Sequence, residues 1–210
     1  MLPDQLTALI YRPFFLVYEI ILFILGLIVA IFPVTFHLVT KYKGPEAYEQ
    51  LFTLMKSLPF GQRLFSSIIA SIAPYSAGIS PQIEKLTATT IEVSMEDRPW
   101  KRNPFKSVHF IAMTNLAEFA TGVIAFNMMR YIKVRGIPKK ITVTCSKKCR
   151  GKVRANCSIE KHMAALKTLK DQVDLDFHVD LLDQKGDVVA VCLVQWNFKS
   201  LTKKTTETKS

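Results

Sequence analysis

The chain has 210 residues, enough for one domain plus an added element and for a core that needs no disulfide staples. Its 28 lysines and arginines outweigh 17 aspartates and glutamates, for a formal net charge of +11. The cations are dispersed, with no zinc-finger, RNA-recognition or helix-turn-helix pattern, so no nucleic-acid partner is expected; anionic lipid, a phosphate-bearing ligand or a solvated basic surface fits the charge better.

After a short N-terminal segment, residues 1–13, the charge nearly vanishes. Residues 14–39 carry one formal charge, Glu19, and residues 20–36 read IILFILGLIVAIFPVTF. Together they pass the roughly 20 residues that a helix needs to cross a bilayer. Gly26 and Pro33 are tolerated in such helices, and Glu19 lies near one end, within reach of the headgroups. The run is longer than the apolar part of a signal peptide and no small-x-small cleavage site follows, which predicts a retained single-pass anchor. Arg12 precedes it, whereas Lys41, Lys43, Lys56 and Arg63 follow. That balance predicts a globular domain on the matrix or cytosolic side, and the charge favours the mitochondrial inner membrane over the endoplasmic reticulum.

Residues 44–80 read as an amphipathic helical connector. Apolar residues recur at helical spacing over 46–59 and 63–73, with breaks at Pro59-Phe60-Gly61 and Pro74-Tyr75. These helices are expected to lie on the membrane surface or to cover one side of the domain. Residues 81–198 form that domain. A β-branched, alternating strand is predicted over 87–96, then a polar loop over 97–106. Residues 108–131 are apolar almost all the way round, which predicts a buried helix, with Ser107 as its N-cap. Strands are predicted over 141–145 and 152–159, then a helical connector over 159–170. Strands over 174–182 and 188–198 are joined as a hairpin through Asp183-Gln184-Lys185-Gly186-Asp187. The tail, 199–210, is polar and basic and is not expected to fold alone. The order gives an α+β domain in which a curled antiparallel sheet wraps one long central helix. So apolar a helix is expected to need a second copy to cover it, hence a homodimer.

Cys145, Cys149, Cys157 and Cys192 are too irregular for a disulfide framework. Cys145-x3-Cys149 lacks a second ligand pair, so packed thiols are expected, with no metal and no cofactor.

Three residues stand out as candidate chemistry: Asn103, His109 and Glu118. His109 and Glu118 are separated by about 13 Å of helical rise, so within one chain they bracket a groove and do not touch. A glutamate inside an apolar helix has its pKa pushed up, as suits a general base. The plainer readings are a Glu118 satisfied by a neighbour such as Asn115, a His109 that packs or caps, and an Asn103 that forms a turn before Pro104.

The pattern N-x5-H-x8-[DE], followed by Ala120-Thr121-Gly122, resembles the hotdog-fold acyl-CoA thioesterases, and more specifically their branch with a DUF4442-like domain. Pro74-Tyr75, Asp97-Arg98 and Asn103-Pro104-Phe105 are similar to that branch too, and the likeness runs from about residue 74 to 198. It implies dimers with acyl-CoA sites at the subunit interface. Glu118 would act as general base or nucleophile, backbone N–H groups around His109, Phe110 and Ile111 would polarise the thioester carbonyl, and Asn103 would orient the water or the loop. Lys101, Arg102, Lys147 and Lys148 would contact the CoA phosphates. The chain departs from the pattern where active members often carry His-Gly-Gly, with Phe110 and Ile111 in place of the glycines, and where Lys106 replaces a loop glycine. Two other readings therefore stand beside a membrane-anchored acyl-CoA hydrolase. One is a non-catalytic accessory subunit of a mitochondrial membrane complex, and the other is an acyl-chain-binding module.

Overall fold

A computed structural model describes residue 44 and residues 46–201. The expected anchor, the segment before it and the tail beyond residue 201 lie outside the described residues.

The fold follows from one helix that has almost no polar face. Helix α4, Phe110–Met129, is 20 residues long, about 30 Å, and buries Leu116, Ala117, Ala120, Ile124, Ala125 and Met128 completely. Among the described residues it is the one helix long and apolar enough to span a bilayer, but two-thirds of its most apolar window is buried inside the domain. Six antiparallel strands curl around it in the order β1-β2-β4-β5-β6-β3. These are β1 (Gln82–Leu86), β2 (Thr90–Met95), β3 (Val134–Cys145), β4 (Val153–Ser158), β5 (Gln172–Leu182) and β6 (Val188–Ser200). Beneath the helix, Phe177, Trp196 and Phe198 stack with ring centroids 5.8–6.3 Å apart. The Trp196 indole donates to Thr121 Oγ1 at 3.2 Å, so that its one polar atom is satisfied in the core. The α+β arrangement expected from the sequence is the one observed.

Two helices precede the sheet, α1 (Ala47–Lys56) and α2 (Gly61–Ile72), followed by the single turn α3 (Pro74–Ala77). Helix α2 clamps the β1 edge: Ser66 Oγ accepts from the Ile83 N–H at 2.9 Å, and Gln62 donates to the Ile83 carbonyl at 2.8 Å and to Glu84 at 3.0 Å. Burial alone would push the Glu84 carboxyl up, but Lys152 at 2.7 Å and bonds from Ser94 and Gln62 bring it below its ordinary range. Among the described residues, the opposite edge, β3, has no such cover. Its residues are mostly exposed on both faces, Ile137 and Ile141 among them, and Pro138 marks a register break.

Several expectations are corrected. The strand predicted over 87–96 is β2 alone, and a further strand, β1, pairs with it through a turn in which the Thr87 N–H donates to the Thr90 carbonyl at 2.9 Å. Strand β3 begins seven residues before the predicted 141, as the register from Val134 shows; Gly136 there lies against the Phe198 ring, where a Cβ would come within 2.5 Å. Ser107 is not the cap of α4. It belongs to the preceding loop, and His109 caps the helix instead. The first residues of the predicted tail continue β6 to Ser200. Cys149, Cys157 and Cys192 are buried, but Cys145 is exposed on the edge strand.

The α1–α2 corner is tight enough to demand glycine. A Cβ on Gly61 would lie 1.8 Å from the Met55 carbonyl oxygen. Gly61→Ala should therefore cost more than about 2 kcal/mol in chemical denaturation of the full chain, because backbone and not a flexible side chain must move.

Candidate functional site

Glu118 lies in the middle of α4, half-buried, and faces a cavity of about 150 Å³. Tyr48 of α1, Ile69 and Ile72 of α2, and Phe119, Gly122 and Phe126 of α4 supply most of its walls. Ala73, Val123 and Arg130 complete the lining, with the Arg130 guanidinium 5.1 Å over the Tyr48 ring. The carboxylate takes no hydrogen bond or ion pair among the described residues, and desolvation by these apolar walls pushes its pKa up. Gly122, one turn on, leaves the carboxylate uncovered: a Cβ there would stand 3.8 Å from Glu118 Oε1. Asn115 does not satisfy Glu118, because its Oδ1 accepts instead from the Ser76 hydroxyl at 2.8 Å.

His109 serves a different space. Its Nδ1 accepts from the Ile111 N–H at 3.1 Å, and its ring stacks on Phe110 at 5.4 Å. It borders a second cavity of about 330 Å³, shared with Tyr75, Trp100, Lys101, Arg102, Ile111 and Asn115. The structure thus keeps His109 and Glu118 in separate cavities. Two of the three amides expected to polarise a carbonyl are engaged: the His109 N–H donates to the Lys101 carbonyl at 2.8 Å and the Ile111 N–H to the His109 ring. The Phe110 N–H alone has no partner among the described residues. Asn103 holds its own loop, where its Oδ1 accepts from the Phe105 N–H (3.0 Å), the Ser107 N–H (3.2 Å) and the Ser107 hydroxyl (3.1 Å).

The four cations divide. Lys101 is only 5% exposed, and its ammonium donates to the carbonyls of Ile79 and Glu96. Burial, then Arg98, lowers its pKa. It ties the loop to the chain after α3 and is not placed to hold a phosphate. Arg102 forms a two-pronged pair with Asp97, at 2.7 and 3.2 Å, which also accepts from the Gly151 N–H. Lys147 pairs with Asp187 at 2.9 Å on the surface, and Lys148 lies 5.6 Å over the exposed Phe105 ring. Phe110 and Ile111 are exposed at the helix start.

The family model described as Domain of unknown function (DUF4442) matches residues 61–198. The chain belongs to the DUF4442 family. A structural-genomics protein called APC5556 is 25% identical, with a TM-score of 0.58 over 73% of this chain and 97% of its own. A Pseudomonas aeruginosa protein described as a "Probable Thioesterase" is 16% identical, with a TM-score of 0.57 over 68% of this chain and 97% of its own. A Haemophilus influenzae thioesterase is 14% identical, with a TM-score of 0.51 over 70% of this chain and 96% of its own. At such identities the last two speak for the hotdog fold. No curated protein matches the chain.

The DUF4442 match begins at Gly61, so α1, which gives Tyr48 to the cavity, lies before it. Sequence reasoning missed the wall residues Tyr48, Ile69 and Ile72. The one available signal was that α2 is apolar on more than its inner side. The structural role of Lys101 had no local cue.

Two outcomes follow. Because the folded state holds the Glu118 proton to higher pH than the unfolded chain does, stability is lost as pH rises through the raised pKa. Glu118→Gln should therefore raise Tm at pH 8 and leave it nearly unchanged at pH 4. Lys101→Met should cost about 1–3 kcal/mol by stranding two carbonyls, with CoA affinity unaltered in calorimetry.

Proposed function

We propose that this DUF4442 protein is a membrane-anchored, hotdog-fold thioesterase-like enzyme that binds fatty acyl thioesters, acyl-CoA in particular, and hydrolyses them with Glu118 as general base. The observation that carries the reading is a lone, desolvated carboxylate on the wall of an apolar cavity. In its ionised form Glu118 takes a proton from water, whose oxygen attacks the thioester carbonyl carbon. The tetrahedral intermediate then collapses with cleavage of the C–S bond, and the thiolate recovers the proton from the Glu118 carboxyl. The products are the free acid and the thiol.

An N–H donor is also needed for the oxyanion. The free one, on Phe110, lies about 12 Å along the helix from Glu118, too far for both to reach one carbonyl within a chain. The Phe110 N–H of a second copy supplies it in this reading, which makes the homodimer part of the proposal, and the uncovered β3 edge is a surface on which copies can pair. The single-pass anchor over residues 14–39 and a matrix or cytosolic placement, with the mitochondrial inner membrane preferred, rest on hydropathy and flanking charge.

The engaged His109 and Ile111 amides, together with bulky side chains where glycines would allow close approach, favour a non-catalytic alternative of one of two kinds. The first is a domain that holds an acyl thioester without turning it over, and the second is an accessory subunit of a membrane complex.

The test is hydrolysis of acyl-CoAs of graded chain length by the full chain in nanodiscs. Glu118→Ala should lower kcat by about 10²–10⁴-fold with the fold intact. The acid limb of the wild-type rate profile should lie above 4.5, the ordinary carboxyl value. Equal turnover in both proteins removes Glu118 as the base. Binding without turnover in the wild type selects the binding domain, and neither binding nor turnover selects the accessory subunit.

A further inference from the structure

The outer surface of the α1–α2 pair has an unusual composition. Between Gln50 and Ile83 there is no aspartate or glutamate, and the only formal charges are Lys56 and Arg63. The helix surface that faces away from the sheet is instead made of apolar and small hydroxyl side chains. Leu54 and Leu58 are exposed at the end of α1, and on α2 Leu64, Ile68 and Ile72 follow one another at i, i+4 and i+8, flanked by Ser67 and Ser71. A helix facing only water carries charge on that side.

Phe60 stands at the tip of the corner. It is 80% exposed and adopts a left-handed backbone, φ +59°, a conformation that a bulky side chain rarely occupies. The geometry is forced by the close approach at Gly61, yet glycine or asparagine would fill position 60 at less cost. An exposed aromatic held in strain points to a use for the side chain itself.

From these observations we infer that the α1–α2 corner is a membrane-docking surface: Leu58, Phe60 and Leu64 enter the acyl boundary of an anionic bilayer while Arg63 meets its phosphates, Lys56 being turned to the Glu84 carbonyl at 3.4 Å. The chemistry is that of an interfacial helix, an apolar face bordered by cations, with the net charge of +11 adding attraction to anionic lipid. The sequence makes a bilayer the nearest candidate. The hydrophobic stretch ends at residue 39 and α1 starts at Ala47, so the linking residues span at most about 25 Å. The ridge on α2 also leads to the catalytic cavity, because Ile72, 68% exposed, forms part of its wall. Resting on the hydrolase reading, docking would bring the cavity to the lipid boundary and select long-chain acyl thioesters held in the membrane.

The experiment uses the full chain with Cys145→Ser and Leu58→Cys, labelled with an environment-sensitive fluorophore and reconstituted in phosphatidylcholine vesicles with or without phosphatidylserine. The label should emit in the blue-shifted range and be quenched at least twofold by nitroxides on the lipid acyl chains, more strongly with phosphatidylserine. A label at Val188→Cys, on the β5–β6 hairpin, should not be quenched. Phe60→Asp should abolish the quenching, whereas Phe60→Gly should weaken it while raising Tm. Water-like emission at position 58 overturns the proposal. So does blue-shifted emission without lipid quenching, which would mean that a second copy or the chain's own hydrophobic segment covers the corner. The readout needs no turnover, so quenching in a protein that leaves every acyl-CoA intact would sink the hydrolase reading and leave docking standing. If both hold, Phe60→Asp should slow hydrolysis of vesicle-bound palmitoyl-CoA at least fivefold and leave soluble butyryl-CoA unaffected.

Discussion

The structure depends on keeping α4 away from water. A helix with so little polar surface cannot lie on the outside of a domain, and the six-stranded sheet closes around it through β2, β3, β4, β5 and β6. Burial of each large apolar side chain contributes about 1.5–3 kcal/mol, and α4 supplies many of them. The same constraint fixes what Glu118 is. A half-buried carboxylate on such a helix, with no partner among the described residues, has its acidity weakened by the burial that stabilises the rest.

The sequence suggested that a second copy must cover the helix, but α4 is largely buried within one chain. Much of the cover on the side of Glu118 comes from α1 and α2, which border the cavity and leave Phe110, Ile111 and Phe126 as the exposed apolar residues of α4. The proposed pairing rests on the β3 edge, uncovered among the described residues, and on the distance between the carboxylate and the Phe110 amide. The two sheet edges contrast sharply. Strand β1 is held by Ser66 and Gln62, whereas β3 presents its backbone without cover.

Legibility in the sequence followed how local the cause was. The buried helix, the β5–β6 hairpin and the raised pKa of Glu118 came from periodicity and isolation of charge, which neighbours in sequence determine. Strand β1 was missed because Gln82-Ile83-Glu84-Lys85-Leu86 alternates weakly and owes its place to bonds from α2. Asn103 and His109 match the thioesterase-like pattern, but hydrogen bonds within their own loop and turn take up their acceptors. Lys101 looked like a surface cation beside Arg102, and only the fold buries it against two carbonyls. Such long-range satisfaction leaves no trace in spacing.

The central claim is that an acyl thioester lies with its chain in the cavity beside Glu118. Its most direct test is photolabelling of the full chain by a long-chain acyl-CoA with a diazirine in the chain, read out by peptide mass spectrometry. The account predicts adducts on Ile69, Ile72, Phe119 or Val123, lost in the presence of excess palmitoyl-CoA. Competed labelling confined to the His109 cavity or to the outer face of the sheet would contradict it.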